Sequence, residues 1–304
     1  MEIIRNNRTT AFIKVGFSFF VWSLLGPILN LSSFTVFQVI WCASILAALF
    51  LISFACYIKK FDQLKVIRLN FKLLLFLLSS GLSGVLWFYS LTLLPIAQAV
   101  LLYSVVPLLT FILGFLFLRE SFQITKFISL LLGVAGVGII LANSLGKLSF
   151  GSSLFFGVAS VLVAASLTAI QAIIAKNLSS LYPSWITVLL IMLSQVIITT
   201  PIAFSNGWLI TPFAIGTTIF LSVFSSILAF FFYVDGFRVL RSSTVTLAGY
   251  LEPLLAAIWG YFFLHQILTI TVALGGILIL VAGYITIRSE EKNNNLPTDL
   301  VVRN

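Results

Sequence analysis

The sequence predicts an all-α integral membrane protein in which ten transmembrane helices form two inverted five-helix repeats. Three observations carry this prediction: an apolar composition, a series of ten apolar segments, and two stretches of nearly the same sequence. Of the 304 residues, 61% are hydrophobic and only 8% are charged, whereas a soluble domain has about a quarter of its residues charged. A water-soluble globule is therefore excluded.

Ten apolar segments follow one another along the chain, and each is about 20 residues long, which is enough to cross about 30 Å of hydrocarbon. They lie at 11–30, 34–58, 70–92, 96–118, 126–145, 151–175, 184–204, 212–235, 242–264 and 268–287. The first segment begins among Arg5, Arg8 and Lys14, as a signal peptide would. Because it lacks a small-residue cleavage pattern and is longer than a usual signal segment, we expect it to remain as a helix.

The basic residues fix a predicted orientation. With the amino terminus inside, every Lys and Arg except Lys147 falls in an inside loop or at an inside helix end, as the positive-inside rule requires. The net charge of +9 is therefore an orientation signal, and nucleic acid is not an expected partner. We expect a multi-pass protein of the cell inner (cytoplasmic) membrane, embedded in the lipid bilayer, with both termini cytoplasmic.

Two long stretches, 87–120 and 231–266, have nearly the same sequence. The matched positions are Tyr89 and Tyr233, Pro107 and Pro253, Gly114 and Gly260, and Leu118 and Leu264. Because each half holds five spans, an odd number, the second copy must lie upside down relative to the first. The charge at the ends of the copies agrees, since Arg119-Glu120 falls on the predicted inside and the uncharged His265-Gln266 on the outside.

The repeats divide the chain into a first unit at 1–145 and a second unit at 151–288, joined by a short turn-like junction at 145–153. The polar stretch 289–304 predicts a disordered cytoplasmic tail.

The ten-span plan, the duplicated block and the Pro-x₆-Gly pattern (Pro107 to Gly114, Pro253 to Gly260) resemble the EamA-type branch of the drug/metabolite transporter superfamily. The resemblance covers about residues 11–288. It implies a secondary transporter that exports a small metabolite, an amino acid or a related compound, by alternating access. The chain departs from the family pattern at Gln266, where members often carry an acidic residue like Glu120.

Glu252 is the one acidic residue predicted to lie deep in the membrane, about ten residues or about 15 Å along a helix from Ser242. An unpaired charge there costs several kcal/mol, so the carboxyl should be protonated, hydrogen-bonded or facing a wet cavity. Two roles stay open: proton exchange coupled to a substrate, and a structural bond to carbonyls freed by Pro253. The first copy has Val106 at this position, which favours a specialised role.

Pro107 and Pro253 are predicted to kink their helices at mid-membrane, with Gly249 beside the second kink, as a gating element. Neutral polar and aromatic side chains could line a substrate pocket. These candidates are Trp22, Trp87, Tyr89, Tyr103, Gln171, Tyr233 and Tyr250. The same residue types also collect at membrane interfaces and helix contacts, so both roles remain open.

The remaining ionisable residues suggest local roles. Lys14 and Lys176 are expected to snorkel to the cytoplasmic surface, and Asp235 to pair with Arg238 or Arg241.

Several function classes are disfavoured. With one His and two Cys in the chain, a metal site is not expected. The chain has no phosphate-binding Gly-x₄-Gly-Lys motif, so ATP use and other cofactors are not expected. A membrane enzyme would need a nucleophile–base pair, so an enzyme is not predicted. The alternatives that stay open are an importer or exchanger of a nucleotide-like or adenosyl metabolite, and a non-transporting membrane scaffold; a homodimer is also left open.

Overall fold

The computed structural model describes residues 2–25, 28, 32–94, 96–145, 152–205, 207–264 and 269–294. Every regular element within these ranges is helical. The predicted positions of His265 and Gln266, most of the predicted junction and the end of the predicted tail lie outside the described residues. The first part of that tail is helical rather than disordered, because the last helix continues to Asn294.

Within the described residues, the first half of the chain contains six α-helices. They are α1 (Glu2–Ser23), α2 (Val36–Tyr57), α3 (Phe71–Leu93), α4 (Ile96–Tyr103), α5 (Val106–Phe117) and α6 (Ile124–Leu145). Polar side chains fix two of their starts: Thr35 and Gln38 form a capping box at α2, and the Asn70 side chain accepts from the Leu73 N–H at α3. Such caps satisfy backbone donors that have no partner within the helix.

The described residues of the second half contain seven α-helices. They are α7 (Ser152–Leu181), α8 (Ser184–Ala203), α9 (Pro212–Leu221), α10 (Phe230–Val239), α11 (Ser242–Leu247), α12 (Leu251–Leu264) and α13 (Ile270–Asn294). A π-helical stretch, Ser222–Ala229, joins α9 to α10, and a 3₁₀ turn, Ala248–Tyr250, joins α11 to α12.

Eight helical segments in the described part of the chain are long and apolar enough to cross a membrane. They correspond to eight of the ten predicted spans. The other two predictions, at 11–30 and 242–264, do not reach the same length and hydropathy. Helix α1 carries Lys14 and further charges before it, and the second segment is divided into α11 and α12.

Long helix pairs join the halves: α2 packs along α8, α6 packs along α13, and α3 packs along α7. In the second pair the backbones touch, because a β-carbon on Gly136 would lie 2.7 Å from the Gly275 carbonyl oxygen. Small residues permit this close approach between membrane helices.

Further helix contacts also connect the two halves. Helix α1 lies along α10, while α4 contacts α7 and α12 contacts α1. The main hydrophobic core forms where these helices and α3 meet α8, around Val15, Phe76, Met192 and Phe237. In this arrangement the two broken helices, α4–α5 and α11–α12, contact each other through α5 and α11.

Candidate functional site: a central polar group between broken helices

Both helices that contain the matched prolines are interrupted just before the proline. Helix α4 ends at Tyr103 and α5 restarts with Pro107 in its first turn. The 3₁₀ turn Ala248–Tyr250 likewise precedes α12, whose first turn holds Pro253. Proline lacks an N–H and suits a first turn, where that donor has no partner in the helix. The expected kinks thus take the form of helix breaks.

Tyr103 connects the first break to α7. Its hydroxyl lies 2.7 Å from the Thr168 Oγ1, and Thr168 donates its own proton to the Ala164 carbonyl at 2.9 Å. Because a threonine hydroxyl has one proton, Tyr103 must be the donor of the first bond. The Tyr103 ring also packs on Trp87, with ring centroids 4.4 Å apart.

Glu252 lies in the first turn of α12 and is half-buried. It is close enough to Tyr103 for an electrostatic interaction between the two side chains. Within the described part of the chain, the Glu252 carboxyl has neither a hydrogen bond nor an ion pair.

An aromatic wall adjoins this pair of residues. Tyr233 of α10 interacts electrostatically with Tyr103. Its ring meets those of Phe19 and Trp22, with centroids 5.9 Å and 5.3 Å away. Trp22 in turn meets Phe230 at 4.9 Å. The wall is therefore built from α1 and α10.

Gln171 lies one helical turn after Thr168 on α7, so the two side chains share a helix face. The residue is only 9% exposed. Its amide makes no hydrogen bond with any residue that the structure describes. Its amide atoms are not among the fully buried polar atoms that lack a partner, so the amide keeps some access to solvent.

The structure separates Tyr250 from this group. Tyr250 is 2% exposed, its hydroxyl donates to the Leu130 carbonyl at 3.4 Å, and its ring fills the space beside Gly133. It thus packs the turn between α11 and α12 against α6. Gly249, in the same turn, faces α1, where an added β-carbon would lie 3.2 Å from the Phe19 ring.

The structure therefore brings together six of the predicted residues and one residue that sequence reasoning missed. The six are Trp22, Trp87, Tyr103, Gln171, Tyr233 and Glu252. The missed residue is Thr168. Its one signal in the sequence is its position three residues before Gln171, which places two polar side chains on one face of an apolar helix.

A second set of polar side chains lies where the ends of α5, α6, α11 and α13 meet, and we call it the polar layer. It consists of Glu120, Ser121, Lys126, Ser129, Arg241, Ser242, Thr244 and Thr286. The Glu120 carboxylate accepts from the Ser242 N–H at 3.1 Å and from the Ser242 hydroxyl at 3.0 Å. Lys126 is completely buried and donates to the Thr244 hydroxyl.

Two further contacts complete the polar layer. Arg241 donates to the Ser121 hydroxyl at 3.0 Å, and the hydroxyls of Ser129 and Thr286 are 2.7 Å apart. Each contact joins one half of the chain to the other.

Two expectations about ionisable side chains need correction. Lys14 forms an ion pair with Asp235 at 2.8 Å instead of snorkelling. The Lys176 ammonium donates to the carbonyls of Phe237 and Leu240 at 2.6 Å and 2.8 Å. These carbonyls lie at the end of α10, where a helix has unpaired acceptors.

The prediction that Asp235 pairs with Arg238 or Arg241 is confirmed for Arg238, and the structure adds a second partner at a shorter distance. The Arg238 Nε lies 3.9 Å from Asp235, a longer contact than the one with Lys14. Arg241 donates to Ser121 in the polar layer. The closest charged partner of Asp235 is therefore Lys14, which comes from the other half of the chain.

Comparison with known proteins decides the family. The model of the EamA-like transporter family matches the chain twice, over residues 10–142 and 155–288. The chain belongs to the EamA-like transporter family.

Two similar proteins agree with this assignment. The uncharacterized transporter YwfM of Bacillus subtilis (strain 168) is 24% identical over 186 residues, which cover 60% of this chain and 60% of that relative. The match thus spans less than two thirds of the relative's length. A crystal structure of another protein, 16% identical in sequence, matches with a TM-score of 0.79. The match covers 91% of this chain and 96% of the chain in that crystal structure. At that identity the crystal structure shows the fold alone.

As an EamA-like transporter, the protein is a multi-pass membrane protein whose expected partners are a small-molecule substrate and the lipid bilayer. Family and relative point to a transporter rather than an enzyme. Among the described residues, no group of three or more His, Cys, Asp or Glu could hold a metal ion.

Proposed function

We propose that this EamA-like transporter is a secondary transporter that exports a small metabolite, an amino acid or a related compound, across the cytoplasmic membrane by alternating access, with proton binding at Glu252 coupled to transport. The observation that carries the proposal is the position of Glu252. Its carboxyl has no partner among the described residues and lies in a broken helix between elements of both halves.

The packing supports an inverted repeat of ten crossings. The third helix of the first half, α3, packs along α7, the first helix of the second half. Reciprocally, α10, in the third span of the second half, packs along α1. A two-fold axis in the membrane plane would relate such contacts, and transporters with inverted repeats bind their substrates near that axis.

The polar layer supports alternating access. In the proposed orientation, with both termini cytoplasmic, this layer lies at the cytoplasmic ends of α5, α6, α11 and α13. Its contacts join the two halves, so they hold this side closed and must separate when the site opens to the cytoplasm. The helix breaks before Pro107 and Pro253 are the places where the halves can bend.

The surroundings of Glu252 support proton coupling. The titratable side chains that interact with it or its neighbour are Tyr103 and Tyr233. The lysines of the adjoining helices are bound elsewhere, Lys14 by Asp235 and Lys126 by Thr244. A carboxyl without a fixed cation can exchange a proton for a substrate group, as intramembrane carboxyls of transporters do.

The test is flux in proteoliposomes under an imposed pH gradient, with a panel of amino acids as the transported compounds. We expect flux by the unaltered protein to depend on the gradient and Glu252→Gln to abolish that dependence. Glu120→Gln is the matched control, because this carboxyl lies in the polar layer and its replacement keeps an acceptor for Ser242. Unaltered gradient dependence in Glu252→Gln would reject proton coupling, and absence of flux for the whole panel would reject amino acid export.

A further inference from the structure

We propose that the central site recognises a protonated amine between the Glu252 carboxylate and the Tyr103 oxygen, and a substrate oxygen at the Gln171 amide. This inference rests on the proposed function, because recognition of an amine selects the transported compound only if the protein is a transporter. It names the chemical class of the substrate and two residues, Tyr103 and Gln171, that determine specificity.

The hydrogen bonds of Tyr103 determine whether its oxygen can donate or accept a further hydrogen bond. Because Tyr103 donates its proton to Thr168 and Thr168 donates to Ala164, the Tyr103 oxygen can only accept a further hydrogen bond. An ionised Glu252 also can only accept. Two acceptors within electrostatic reach of each other fit a group that carries several donors, and an ammonium carries three N–H donors.

The charge around the site points the same way. Within the described ranges, no Lys or Arg pairs with Glu252. A substrate ammonium would therefore supply the missing positive charge, and a charge-assisted hydrogen bond to a carboxylate is stronger than a neutral one. A carboxylate at the same place would be repelled.

The aromatic wall adds an attraction for the same group. Trp22, Phe230 and Tyr233 meet edge to face, and Trp22 is only partly buried. Aromatic ring faces attract cations, and tryptophan does so best. The wall also offers apolar surface for the body of a substrate.

Gln171 supplies the second pole. Gln171 lies one helical turn after Thr168, which binds the Tyr103 hydroxyl, so its side chain is on the face of α7 that carries this contact. The unpartnered amide can donate to a carboxylate or carboxamide oxygen of the substrate.

The test uses four matched forms of each amino acid: the amino acid, its carboxamide, its N-acetyl derivative and its decarboxylated amine. Binding to the purified protein is measured by the shift in thermal unfolding, and transport by flux in proteoliposomes. We expect N-acetylation, which removes the cation, to weaken binding at least about 30-fold, as loss of one member of a buried charge pair does.

The variants separate the two poles. Gln171→Leu should weaken binding of the amino acid and its carboxamide about tenfold, the effect of one hydrogen bond, and leave the decarboxylated amine unchanged. Gln195→Leu is the matched control, because Gln195 already accepts from Ser44 at 2.8 Å. Glu252→Gln should remove the preference for the amine over its N-acetyl derivative, which provides an independent readout if Gln171→Leu does not fold.

Three results would overturn the proposal: equal binding of the amine and its N-acetyl derivative, equal weakening of all ligands by Gln171→Leu, or no binding by any compound of the panel. Flux of a metabolite without an amine would support the proposed transport and contradict amine recognition at this site. Amine binding without flux would keep the site and reject export.

Discussion

The polar layer and the central site contain similar polar side chains in an apolar protein, but they differ in how these side chains are hydrogen-bonded. In the layer, Glu120 accepts two hydrogen bonds from Ser242, and the buried Lys126 donates to Thr244. In the centre, Glu252 and Gln171 have no partner among the residues described. Satisfied polar groups hold one arrangement of the halves, whereas unsatisfied ones sacrifice stability to remain available for a ligand.

The largest effect on stability is expected for Lys126→Ala, in the polar layer. Removing a completely buried lysine leaves a void and unpaired partners, so we expect the free energy of unfolding to fall by about 3 kcal/mol. Thermal unfolding in detergent measures the change. Lys72→Ala, at an exposed lysine, is the control and should have no effect; equal unfolding temperatures for both variants would contradict a structural role for the layer.

A smaller loss is expected for Glu120→Ala. The carboxylate satisfies the N–H and hydroxyl of Ser242 at the start of α11, and loss of such a cap costs about 1–2 kcal/mol. Glu120→Gln keeps one acceptor oxygen and should lose less, measured in the same way. If both variants lose the same amount, the carboxylate does not act as a cap.

Much of this contrast could not be predicted from the sequence. Hydropathy and spacing locate Glu252 at mid-membrane and the two prolines at matched positions, because these depend on local composition. Lys126 has the sequence context of a loop lysine, since its partner Thr244 lies 118 residues away. Tyr103 and Tyr250 are equivalent candidates in the sequence, and only their neighbours in space, Thr168 for one and Leu130 for the other, distinguish them.

The ion pair between Lys14 and Asp235 should contribute less than the layer. The side chains are 33% and 25% exposed, and pairs with access to solvent contribute about 0.5–1 kcal/mol. A double-mutant cycle of Lys14→Met and Asp235→Asn measures the coupling. A coupling energy as large as the loss in Lys126→Ala would place this pair with the layer as a main contact between the halves.

The smallest effect on stability is expected in the centre, where its sign distinguishes the two roles proposed for Glu252. If the carboxyl is unpaired, Glu252→Leu should leave the free energy of unfolding unchanged or raise it by up to about 1 kcal/mol, because a costly polar group is removed. Transport should nevertheless be lost. Thermal unfolding and proteoliposome flux on the same preparation measure both. A loss of stability instead would mean that Glu252 is bonded in the unliganded protein, for instance to carbonyls freed by Pro253, and that its role is structural.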